Sequence, residues 1–88
     1  MSDELVQRVL KVVATSKRIP LERVTVDSAF QDLGIDSMDA VEILFGLENE
    51  FDISIPDEEV RAVRDVRGMC EGVERLVLAK SAAPQAGQ

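Results

Sequence analysis

The sequence predicts an all-α domain, a small four-helix bundle with three longer helices, a short third one, and a long loop between helices I and II. Three observations carry this. Apolar residues recur at i, i+3, i+4 and i+7 in three separate stretches, the pattern of helices that bury one face. Acidic, serine or proline start signals stand before each helical segment. The single β-like run, Ile53 to Ile55, is too short to form a paired strand in this context.

The first helix should run from about Asp3 to Ser16, with Ser2 as its cap and Leu5, Val6, Val9, Leu10 and Val13 on one face. Lys17 and Arg18 suit its negative C-terminal end. A long connection follows to Ile35, marked by Pro20, the Asp27-Ser28 turn signal and Gly34. A loop of that length needs anchors, and Leu21, Val24, Val26, Phe30 and Leu33 are spaced to lay it across the helices.

The second helix should span Ser37 to about Phe51. At about 100° per residue, Ala40, Ile43, Leu44, Leu47 and Phe51 form a core stripe. Met38, Val41 and Phe45 form a second apolar stripe on a nearly opposite face, bordered by Asp39, Glu42 and Glu48. Either the preceding loop covers this second stripe or it is an exposed patch that marks an interaction site. Pro56 followed by Asp57-Glu58-Glu59 opens a short third helix ending near Val63. Asp65 then caps a fourth, in which Val66, Met69, Cys70, Val73, Leu76 and Val77 keep helical period through about Lys80. Gly68 and Gly72 lie inside it, each costing about 1 kcal/mol against alanine, so either a ligand or a close helix packing favours small residues there. Residues 1–80 thus make one domain, and 81–88, without a large apolar residue, are expected to be a disordered tail.

Composition narrows the function. The net charge of −7 is unevenly spread: residues 1–26 and 60–88 each carry five basic and three acidic groups, whereas 27–59 carry eleven acidic and no basic ones. Nucleic acid, which needs a basic face, is an unsuitable partner. Basic protein partners suit the acidic block, unless the charge serves only solubility. With no histidine and a single cysteine, the chain offers neither a Cys/His zinc site nor an intrachain disulfide, which fits a reducing cytoplasm. The acidic residues are not spaced as a calcium loop. Asp3, Glu4, Gln7 and Arg8 interrupt any signal segment, and no apolar run approaches membrane-spanning length, so a soluble cytoplasmic monomer without membrane insertion is expected.

The candidate site is Gly34-Ile35-Asp36-Ser37-Met38-Asp39, where a glycine-containing loop hands over to the second helix. A capping box opening at Ser37 fails because the residue three further on is Ala40, whereas Asp36 and Asp39 stand at N-cap and N3. Asp36 is therefore the better cap, which leaves the Ser37 hydroxyl free beside a helix end that favours phosphate. Ser37 cannot be a triad nucleophile without a histidine. Cys70, on the apolar stripe of the fourth helix, reads as a buried small hydrophobe. No catalytic constellation emerges, so the chain is expected not to be an enzyme.

Leu33-Gly34-Ile35-Asp36-Ser37-Met38-Asp39, followed by Val41-Glu42 and Leu47-Glu48-x-Glu50-Phe51, resembles the acyl carrier protein family. The likeness continues through Ile55-Pro56-Asp57-Glu58-Glu59 and Asp65-Val66 and covers about Leu5 to Val77. It implies 4′-phosphopantetheine on Ser37, transferred from coenzyme A by a phosphopantetheinyl transferase, with acyl groups held as thioesters on the arm. It makes Asp36 and Asp39 flanking recognition residues. Met38, Val41, Glu42, Phe45 and Glu48 become a face for acyl-loading, condensing and acyl-transfer enzymes with basic docking surfaces. Leu47, Met69, Cys70, Gly72 and Val73 are expected to line an acyl pocket. Cys70 and Gly72 stand where relatives carry bulkier groups, which leaves open whether the route is fatty acid, lipid or polyketide synthesis. An aminoacyl or peptidyl carrier of the same fold and an unmodified acidic helical adaptor are the competing readings.

Overall fold

A computed structural model describes residues 3–82, and the chain is all-helical across them. Helix α1 is Asp3–Lys17, α2 is Ser37–Phe51, α3 is Asp57–Ala62 and α4 is Val66–Ala82. This is the predicted small bundle with its long loop after the first helix. The Ser2 cap and residues 83–88 of the expected tail lie outside the described residues, while residues 81 and 82 continue α4. No helix of the described residues is long and apolar enough to cross a membrane.

The core forms where the periodic stripes meet. Val9, Leu10, Val13 and Ala14 of α1 are buried with Ile43 and Leu47 of α2 and Val66, Cys70 and Val73 of α4. Helix α1 can approach α2 closely because Gly46 has no side chain, and a Cβ there would stand 2.8 Å from Val12 Cγ1. Valine is stiff at χ1 in a helix, so that contact could not be relieved by a simple rotation.

The loop between α1 and α2 is laid down along its length. Arg18 takes a left-handed conformation at φ 58°. It donates its N–H to the Thr15 carbonyl, and Ile19 N donates to the Ala14 carbonyl, closing α1 in the pattern of a Schellman cap. A 3₁₀ turn at Leu21–Arg23 follows. Val24 and Ile35 enter the core, and Val26, Phe30 and Leu33 pack against it. Leu21, expected to be an anchor, is instead 40% exposed, because it falls on the turn rather than on the stretch that crosses the helices. Two backbone hydrogen bonds then pair the loop with the α3–α4 junction: Phe30 N donates to Arg64 O at 3.0 Å and Val66 N to Ser28 O at 3.0 Å. These bonds bring α3 alongside the start of α2.

Candidate functional site

The site begins with the way α2 starts. Asp36 is its N-cap, with extended backbone at φ −95° and ψ −173°. Its Oδ1 accepts the Asp39 N–H at 2.8 Å, and Asp39 Oδ2 accepts the Asp36 N–H at 3.2 Å, a reciprocal capping box. Asp39 Oδ2 also accepts a hydrogen bond from Lys17 Nζ at 2.9 Å, and the same ammonium donates to the Gly34 carbonyl at 3.1 Å. One lysine at the end of α1 therefore ties down both the loop and the first turn of α2. The Lys17 hydrogen bond, followed by the Asp36 backbone N–H, holds the Asp39 carboxyl below its ordinary value of 3.8. Gly34 supplies the turn into this segment at φ 71°, which glycine adopts without strain.

Ser37 is the first residue of α2 and is exposed. Among the described residues its hydroxyl makes no hydrogen bond, because both capping roles are filled by the flanking aspartates. It lines an open groove, with Ala40 and Val41 of α2 on the same helix and Val60, Arg61, Val63 and Arg64 contributed by α3 and the segment after it. Among the described residues no group of three acidic or cysteine side chains is placed to hold a metal ion.

Behind the groove lies an apolar cavity of about 40 Å³ between α2, α3 and α4. Leu47, Met69, Gly72 and Val73, four of the residues expected to line a pocket, line it. Cys70, the fifth, does not: it is fully buried in the core, where loss of solvent pushes its thiol up to about 11. Phe30, Ala40, Val60 and Val63 line both the groove and the cavity and so form the partition between them. Those residues come from the loop, α2 and α3, and helical period alone gave no sign that they converge. The volume admits about three or four water-sized groups, at about 10–15 Å³ each, so a longer chain would need the cavity to widen.

The second stripe of α2 is open. Met38 is 77% exposed, Phe45 57% and Val41 45%, so the loop lies elsewhere and these side chains form an apolar patch. Glu42 is exposed beside them. Glu48, expected on the same docking face, is half-buried, and its Oε2 accepts the Ile55 N–H at 2.8 Å, tying the α2–α3 loop to α2. Gly68 and Gly72, alike in sequence, also differ. A Cβ on Gly68 would press to 3.1 Å of Asp65 Oδ1, the cap that accepts the Gly68 N–H, whereas Gly72 borders the cavity.

Residues 4–73 match the family described as Phosphopantetheine attachment site. The chain is 42% identical over 65 residues to an acyl carrier protein of Rickettsia bellii (strain RML369-C), an alignment covering 73% of this chain and 76% of that one. It is 41% identical over 80 residues to a chloroplastic acyl carrier protein of Brassica napus, covering 88% of this chain and 58% of that relative's length.

Proposed function

The chain belongs to the acyl carrier protein family, whose prosthetic group is 4′-phosphopantetheine, and from that premise we propose that Ser37 bears the group and that the protein carries acyl thioesters between partner enzymes. The observation that carries this reading is the exposed Ser37 hydroxyl, left unbonded at the head of α2 while Asp36 and Asp39 cap the helix. Attachment there uses an oxygen that the fold does not need.

Each neighbouring residue then has a task. Asp36, Asp39 and Lys17 hold the first turn of α2 so that the hydroxyl is presented in one place. With no histidine in the chain and the Asp36 and Asp39 carboxylates engaged in the capping box, the base that takes the serine proton during loading comes from the transferase. Once bound, the group supplies a terminal thiol for the thioester. Met38, Val41 and Phe45, with Glu42 beside them, suit docking of loading, condensing and acyl-transfer enzymes that present a basic rim around an apolar contact. The cavity lined by Leu47, Met69, Gly72 and Val73 gives the start of an acyl chain an apolar shelter within reach of the groove. Catalysis belongs to the partners.

Incubation with coenzyme A and a broad-specificity phosphopantetheinyl transferase tests the assignment. Intact mass should rise by one phosphopantetheinyl group, peptide mapping should place it on Ser37, and Ser37→Ala should take up none. A group on Ser2, Ser16, Ser28, Ser54 or Ser81, or no gain in wild type, refutes it.

A further inference from the structure

Residues 27–59 contain no basic side chain, yet Arg61 and Arg64 line the groove that holds Ser37. The chain's fold brings them there: Arg61 lies in the last turn of α3, and the Arg64 carbonyl is pinned to the Phe30 N–H of the loop that precedes α2. Most other cations are committed. Arg8 pairs with Glu50, Lys17 with Asp39, Arg67 with Asp27, Arg75 with Glu59 and Lys80 with Asp52. The Arg61 and Arg64 side chains are exposed and make no ion pair or hydrogen bond among the described residues.

The acidic groups of the groove are Asp36 and Asp57. A phosphodiester rooted at Ser37 would be repelled if these carboxylates were the groove's only charges. Two guanidinium groups reverse that balance, and their planar donors match phosphate oxygens in pairs. We propose that Arg61 and Arg64 hold the phosphodiester root of the Ser37-linked arm in the groove between α2 and α3. The inference rests on the Ser37 assignment and adds to it a resting position for the arm. Met38 and Phe45 do not line the groove, so an arm rooted along α3 leaves most of the apolar docking patch uncovered.

The test compares apo and holo protein, with loading on Ser37 checked by mass. Side-chain Nε–Hε resonances of Arg61 and Arg64 should shift on loading, while that of Arg8, held at the far end of α2 by Glu50 and the Phe51 ring, should not. The shifts should fade in about 1 M salt, where screening reaches down to about 3 Å. In Arg61→Gln/Arg64→Gln holo protein, phosphorus relaxation should approach that of free coenzyme A. The docked-to-free ratio should fall about fivefold at low salt, the scale of an exposed ion pair. Arg61→Lys/Arg64→Lys should restore part of it. Should the glutamine variant resist loading, the wild-type comparison decides alone. Loaded Ser37 with unmoved Arg61 and Arg64 resonances overturns the inference and leaves the Ser37 assignment standing. Failure to load Ser37 in wild type overturns both.

Discussion

Gly72→Ala separates the two explanations for small residues in α4. A Cβ built on Gly72 meets Glu59 Oε1 at 3.4 Å and Arg75 Nη2 at 3.8 Å, ordinary contact distances, so alanine fits without moving the backbone. Helix propensity then favours the variant by about 1 kcal/mol. For a domain of this size that is a rise in Tm of about 4–8 °C in the unacylated form. The same methyl narrows a cavity of only about 40 Å³, a large share of the space an acyl chain could enter. A chain that occupies the folded state alone stabilises it by mass action, so the added Tm on acylation should shrink in the variant. The assay is a thermal melt of wild type and Gly72→Ala, each with and without a medium-length acyl group. Cys70→Leu provides the contrast: Cys70 is fully buried but does not line the cavity, so the extra volume overpacks the core at about 1–3 kcal/mol and leaves the acyl increment unchanged. Equal acyl increments in wild type and Gly72→Ala would refute the shelter. A lower Tm in unacylated Gly72→Ala would refute the reading of the Glu59 contact.

Ser37→Ala should lose all loading yet change stability by less than about 0.5 kcal/mol, because Asp36 and Asp39 retain the cap; chemical denaturation checks the second half. Glu42→Lys should slow association with the transferase in a salt-dependent way while leaving the melt unchanged. Glu48→Lys should cost about 1–2 kcal/mol of stability as well, since it removes the acceptor of the Ile55 N–H, and equal melts for the two variants would contradict that role. Asp39 makes the start of α2 acid-sensitive: its folded pKa lies below 3.8, so its stabilisation is complete above that value and is lost as pH falls through the folded one. Lys17→Met should bring the Asp39 titration, followed by carboxyl NMR, back up towards 3.8.

What the sequence made legible was local chemistry. Asp36 and Asp65 announce their helices because a cap acts within three residues, and both accept the N–H expected of a cap. The core stripes follow from period, and so does the second stripe of α2, though period could not say which side the loop would take. What needed the fold was every role set by a distant return of the chain. Glu48 and Cys70 sit on the helical faces where period places them, yet the Ile55 amide claims one and the packed core encloses the other. Arg61 and Arg64 share a groove with Ser37 only because the loop pairs with the α3–α4 junction.

The acidic block shows the functional consequence. Of the eleven acidic residues in 27–59, seven are tied within the fold: Asp27, Asp39, Glu50, Asp52 and Glu59 by ion pairs, and Asp36 and Glu48 by accepting backbone N–H groups. Among the described residues the untied four are Asp32, Glu42, Asp57 and Glu58. Only Glu42 among these belongs to α2 beside Met38, Val41 and Phe45, and the α2 carboxylates Asp39 and Glu50 are offset by Lys17 and Arg8, so a basic partner at that patch would meet less negative charge than the sequence suggests. On the proposed docking role, charge there would steer the encounter, while the exposed Met38 and Phe45 side chains would supply most of the contact that holds it.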